Sequence, residues 1–414
     1  MILVPRNMNS NSKPWVLLIS TYTTQYIGVA FIISAAFAIL RQSGIALDKL
    51  ALLNLIAIPM LGKVLYAPFV DSFRLFFQGQ YRSWLICAQF CMTLLLLICG
   101  FLDIQKQFTT VLILFVVYTL FMSVQDVAID GLASKIFKAP ERQFANSIQY
   151  ASNLLGNIIG GGLLLILYPW LEWQGALCVL AGLTAITCIQ LLFYREPDDE
   201  FVNPHRHLSS QFKSLAQQLK LFIKKHKSWF LLLFIYPVGF TAVFGILNPL
   251  LVDAKWSLVD IGFATKVFGS IVGIISAFLA TLLINKLQRK KALITLTLLQ
   301  GLTLLLFIPL TLGYTSKPLV YLAIFGYFIA NPGLMATLST LIMDRASTMP
   351  AKATFFSLQL SLIVFMGFAY SAIGLSLAQK IGYTNVVLLT FICAIGVAVL
   401  AWKLLPNSVQ ESAV

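Results

Sequence analysis

Apolar runs of about twenty residues, the length a helix needs to cross the hydrocarbon of a bilayer, recur along the whole of this sequence. They fall at 15–40, 48–70, 83–102, 108–134, 143–168 and 173–194, and again at 229–252, 258–285, 292–313, 318–343, 353–378 and 383–404. Lipid offers no hydrogen bonds to the backbone, so each run has to satisfy its own by coiling into a helix. The expectation is an all-α membrane protein with twelve transmembrane helices. Composition agrees: only 11% of residues are charged, against about 25% in soluble domains. The opening stretch "MILVPRNMNSNSKPW" lacks a short apolar core followed by a small-residue cleavage site, so no cleaved signal peptide is expected.

The net charge of +14 would suit a nucleic-acid partner if it were clustered. It lies instead in short tracts between apolar runs, as topology signals do, and no nucleic acid is expected to bind. Of the 29 lysines and arginines, 21 fall on one side when the N-terminus is placed inside, six on the other, and two, Lys63 and Lys266, within spans. This bias puts both termini in the cytoplasm. All six cysteines lie inside apolar runs and read as small core residues, with no disulfide framework and no metal spacing.

The only long loop divides the chain into residues 1–195, a six-helix half, 196–228, a cytoplasmic linker, and 229–414, a second six-helix half. In the linker, Phe212, Leu215, Leu219 and Phe222 share one helical face among lysines, which predicts a helix lying on the inner membrane surface. Docking of a partner is the alternative use of that face. The spacing of His205, His207 and His226 suits no metal-ligand set.

The halves repeat weakly. Pro140, Arg142, Ser147 and Gln149 match Pro350, Lys352, Ser357 and Gln359 at an offset of 210. Trp15 and Tyr22 match Trp229 and Tyr236 at 214, and Asp48 matches Asp260 at 212. Two parallel six-helix halves are how major facilitator transporters are built. The G-x-x-x-G pairs Gly156/Gly160 in span five and Gly269/Gly273 in span eight let helices approach closely. In the fold this chain resembles, spans five and eight meet across the halves, so that contact is where the glycines are expected. "NPGL", Asn331 to Leu334, is expected to break or bend span ten, because Pro332 removes a backbone hydrogen bond.

Charges within spans are functional candidates by default. Asp126 and Asp130 lie one helical turn apart on one face of span four. Lys63 precedes the loop residue Asp71 by eight positions and Asp126 precedes Lys135 by nine, so both sit roughly 12–14 Å from the inner ends of their helices. A Lys63–Asp126 ion pair is expected at that depth. Such a pair can serve packing alone, but Asp130 is then left over. Two neighbouring carboxylates in a low-dielectric setting resist being charged together, so one of them suits proton coupling. Lys266, in span eight, is either a snorkelling lysine or a group that binds substrate charge. Tyr22, Gln25, Tyr26, Gln149, Tyr150, Asn153, Tyr236 and Gln359 are candidate cavity-lining residues for a bulky, polar, partly ring-shaped solute.

"KVLYAPFVDSF" from Lys63, "GQYRSW" from Gly79 and "SVQDVAIDG" from Ser123 resemble the second span, the following loop and the fourth span of the AmpG-like permeases, the peptide/acetyl-coenzyme A/drug transporter branch of the major facilitator superfamily. The resemblance implies that Asp71, Arg74 and Arg82 belong to a cytoplasmic gate, although the usual Gly-Arg-Arg cluster reads Gly-Gln-Tyr-Arg here. Muropeptide permeases of the branch are longer, and at twelve spans the chain looks more like the RhtX/FptX siderophore permeases. The resemblance thus implies a proton-driven importer of a siderophore, free or iron-loaded, in the bacterial inner membrane, acting as a monomer without a cofactor. The alternatives are a muropeptide permease, a drug exporter and, outside transport, a membrane receptor. No nucleophile triad, metal spacing or phosphate loop points to an enzyme.

Overall fold

The computed structural model describes residues 14–36, 39–40, 52–76, 79–104, 106–197 and 208–405. The expectations that rest on Asp48, His205, His207 and the Phe212 side chain, and on the lysines and arginines before residue 14, lie outside the described residues. Nine helical stretches among them are long and apolar enough to cross a membrane. Two of these, Arg142–Phe193 and Asp260–Thr311, are 52 residues long. Each turns back at one residue with a left-handed backbone, Glu172 (φ 53°) and Gln288 (φ 62°), and so supplies two spans. Span two is built from Leu52–Ile56, Ala57–Leu61 and Lys63–Ser72, interrupted at Gly62. With it the described residues make twelve spans.

The sequence reading and the observed helices agree at most ends. Span one is Trp15–Ala30, carried on by a π-turn at Phe31–Ala36. Spans three and four are Gln80–Gly100 and Phe108–Ile136. Span seven runs from Lys227 to Asp253 with a 3-10 break at Tyr236–Gly239, where Pro237 leaves the ladder without a donor. Spans ten, eleven and twelve are Lys317–Ala346, Lys352–Ile381 and Tyr383–Leu404. The connector carries the helix Leu208–Lys225, whose Leu215 and Phe222 are buried.

Large apolar side chains stand on the outer surface, with Phe193, Leu65 and Trp402 more than two-thirds exposed. A surface of that kind needs lipid around it. Inside, one apolar cluster joins the two halves and includes Val127, Leu132, Leu341 and Phe355. A second cluster, around Phe31, Phe115 and Leu177, belongs to the first half alone and lies toward the end opposite the connector.

Two packing expectations are corrected in part. The glycines of span five face span one: a Cβ at Gly160 would lie 2.0 Å from the Ile27 carbonyl oxygen, and one at Gly156 would lie 2.6 Å from Tyr26. Those of span eight divide: Gly269 lies against Phe328 of span ten, while Gly273 lies between Leu154 of span five (2.6 Å) and Pro332 of span ten (3.0 Å). Spans five and eight meet as expected, with Gly273 against Leu154 and Ser147 against Thr281 (3.0 Å). A glycine pair marks a face for close approach and carries no information about which helix fills it. Span ten, moreover, is not broken at Pro332; the helix is continuous from Lys317 to Ala346. The Gly333 amide donates to Ser276 Oγ of span eight at 3.1 Å, so a neighbouring helix takes over where the proline disturbs the ladder.

Candidate functional site

The carboxylates that stand out in the sequence meet the first half's polar residues in one buried network. Lys63 Nζ donates to Asp126 Oδ2 at 2.7 Å, with side chains 7% and 14% exposed. Gln25 Nε2 donates to Asp126 Oδ1 at 2.7 Å. One turn further on, Asp130 is fully buried. Its Oδ1 accepts from Tyr22 Oη (2.8 Å) and Gln149 Nε2 (2.9 Å), while its Oδ2 has no partner among the described residues. Spans one, two, four and five thus each contribute one or two side chains.

The two acids are chemically unlike. Asp126 faces a cation, so its charge is matched. Asp130 is held by two neutral donors, and a buried carboxylate without a cation is strongly unfavourable. Local sequence sets this up: Gly62 interrupts span two just before Lys63, and the four-residue spacing puts both acids on one face of a continuous helix. The second half does not repeat the arrangement. At the offset of 210, Asp126 corresponds to Ala336 and Asp130 to Thr340.

The remaining candidates divide. Tyr150 Oη lies 3.0 Å from Ser339 Oγ of span ten and so bridges the halves. Tyr26 and Asn153 are half-buried nearby on spans one and five, and Asn153 Oδ1 has no partner among the described residues. Tyr236 is hydrogen-bonded to Thr297 of span nine, and Gln359 accepts from Trp229 Nε1 at 2.7 Å. Both are buried and bonded within the second half, apart from the acids. Lys266 lies half-buried in the π-turn Phe263–Phe268 and pairs with no carboxylate of a described residue.

At the connector end, Asp71 reaches across to span eleven. Its carboxylate accepts from the amides of Ala353 (3.1 Å) and Thr354 (2.6 Å), from Thr354 Oγ1 (2.6 Å) and from Tyr81 Oη (2.6 Å). An acid over the first amides of a helix is favoured by the unsatisfied N–H groups and the dipole there. Arg82 donates to the carbonyls of Leu191 (3.0 Å) and Leu192 (2.8 Å) of its own half. Arg74 follows span two in the same loop. Reading the sequence misses a second cross-half lock: Asp344 of span ten accepts from Arg142 of span five at 2.9 Å and also pairs with Arg289 at the start of span nine. The signal available was the acid-base doublet Asp344–Arg345 at a helix end, but a doublet names no partner in the other half.

The described cross-half hydrogen bonds therefore gather toward one end, that of the connector. A fold of paired six-helix halves with polar locks at one end is matched from residue 17 to 369 by the family model of the Major Facilitator Superfamily. The chain belongs to the Major Facilitator Superfamily. Membership in that family and its long apolar helices make it a multi-pass membrane protein. It is 26% identical over 261 residues to the anhydromuropeptide permease of Escherichia coli K12, covering 62% of this chain and 52% of the relative. The chain thus spans about half the length of that curated relative. The putative transporter AmpG 1 of Rickettsia bellii is 21% identical over 387 residues, 90% of this chain and 93% of the relative. Among solved structures, the transporter FucP in the outward conformation matches with a TM-score of 0.71 at 14% identity, over 95% of this chain and 99% of that one. The human organic anion transporter TETRAN matches with a TM-score of 0.74 at 13% identity, over 94% and 100%. The chain is thus similar to permease- and AmpG-named relatives, and the solved structures share its fold.

Proposed function

We propose that this protein is a proton-coupled permease of a bacterial inner membrane that imports a sugar-linked peptide of the anhydromuropeptide class by alternating access. The observation that carries the coupling is Asp130, fully buried, held by Tyr22 and Gln149, and one turn from an Asp126 that already has its cation. Its unpartnered Oδ2 is suited to hold a proton. In this reading, Asp130 gains a proton when the site faces the side opposite the connector and loses it to the connector side. Lys63 and Asp126 hold the network in place. Tyr26, Tyr150 and Asn153 border the path that the substrate takes between the halves, with Lys266 further along span eight as a candidate for substrate charge.

The lysine and arginine bias supports a cytoplasmic connector, so the locks at Asp71 and Asp344 close the cytoplasmic side. The substrate class rests on the relatives, two of which carry permease or AmpG names. Siderophore import rested on the twelve-span length of the chain. That length does not discriminate, because the Rickettsia relative matches over 93% of its own extent. The test is substrate-induced thermal stabilisation of the purified protein by an anhydro-sugar tripeptide and by a ferric siderophore. Stabilisation by the sugar peptide alone is the expected result. Stabilisation by the siderophore alone would reverse the assignment.

A further inference from the structure

The connector helix Leu208–Lys225 and the end of span ten enclose a pocket of about 490 Å3 far from the acids of span four. Its lining includes Gln218, Phe222, Lys225, His226, Arg345 and Met349, and none of its described lining residues is acidic. Arg345 is the singular member. It is 6% exposed, lies 3.9 Å from the centroid of the Trp229 ring and donates to the Leu341 carbonyl at 3.0 Å. Among the described residues its Nε has no partner and no carboxylate pairs with it. A buried cation without a counter-charge is strongly unfavourable.

The repeat sharpens the point. At an offset of 210, Arg345 corresponds to Lys135, at the end of span four. Lys135 has its counter-ion built in, Glu196, at 2.9 Å. At 209, Glu196 corresponds to Leu405, and Pro197 to Pro406. The second half therefore keeps the cation and replaces the carboxylate with an apolar side chain. Beside Arg345, Lys225 adds a second charge from the connector. Burial, with Arg345 and Lys225 close by, holds the His226 imidazole below its ordinary pKa, which leaves it a neutral hydrogen-bonding group at neutral pH. Gln218 Oε1 is buried without a partner among the described residues and calls for a donor.

We propose that this pocket is a binding site for a phosphate ester with a neighbouring hydroxyl. The guanidinium of Arg345 and the ammonium of Lys225 take the phosphate oxygens, and Gln218 Oε1 accepts from the hydroxyl. A planar, always-charged fork with a lysine beside it is the usual chemistry of phosphate recognition. The ester comes either from a lipid headgroup of the connector-side leaflet or from a soluble phosphorylated molecule. Arg345 adjoins Asp344, so a bound anion sits next to the ion cluster that joins the halves.

The experiment compares the full-length protein with Lys225→Gln, an exposed position that leaves the fold intact, and with Arg345→Gln. Binding of free glycerol phosphate is measured by calorimetry, and retention of phosphatidylglycerol over phosphatidylcholine by native mass spectrometry. Each substitution is expected to weaken binding about tenfold or more. Saturable binding of glycerol phosphate that both substitutions weaken identifies a soluble ligand. Selective retention of phosphatidylglycerol without glycerol phosphate binding, lost in both variants, identifies the lipid. A wild type that takes neither overturns the proposal. So do variants that bind as the wild type does.

Discussion

At the scale of single residues, the network around span four is a division of labour between two carboxylates. Removing one partner of a buried ion pair leaves the other uncompensated, at a cost of about 3–5 kcal/mol, whereas replacing both by neutral groups of similar volume is close to neutral. Lys63→Met is therefore expected to lower the thermal unfolding temperature sharply, and Lys63→Met with Asp126→Asn to recover most of it. A double variant as unstable as the single would show that Asp126 is held by something other than Lys63. Part of this site was legible from spacing: equal depths for Lys63 and Asp126 follow from 1.5 Å per residue, and their heads lie 2.7 Å apart. The partners of Asp130 were not. Tyr22 and Gln149 were candidates for lining a cavity, because an intramembrane tyrosine or glutamine looks the same in sequence whether it meets solute or carboxylate. Tyr236 and Gln359 show the limit of the repeat. They occupy matching positions, yet the second half has no acid for them, and they bond to Thr297 and Trp229 instead.

At the scale of helices, spans were readable because lipid tolerates little else, while the partners of small-residue faces were not. Span five rides so close to span one that Gly160 leaves no room for a methyl group. Gly160→Ala is expected to destabilise by about 1–3 kcal/mol through overpacking against the Ile27 backbone. The control is Gly182→Ala in span six, which meets nothing within 4 Å and is expected to be neutral or to stabilise by about 0.5–1 kcal/mol. Thermal unfolding in detergent separates the two. Equal effects would mean that helix propensity, rather than the close approach of spans one and five, sets the requirement. The turns at Glu172 and Gln288 were likewise placed only to within a few residues, since their left-handed backbone has no glycine or asparagine to announce it.

At the scale of the molecule, the two halves are tied at the connector end by Asp71 over the start of span eleven and by Asp344 between Arg142 and Arg289. Asp344→Asn removes the charge that both arginines share and leaves them facing each other across the halves. The expected result is a population open at this end, seen as a second, longer distance between spin labels at Lys138 and Thr348. An unchanged distance distribution would place the closure elsewhere. The central claim is that Asp130 carries the transported proton, and uptake tests it most directly. Proteoliposomes with a more acidic exterior are given a labelled anhydro-sugar peptide, with wild type or Asp130→Asn in the membrane. The account predicts accumulation by the wild type that a protonophore abolishes, and exchange without accumulation by Asp130→Asn. Gradient-driven accumulation that survives Asp130→Asn would contradict it.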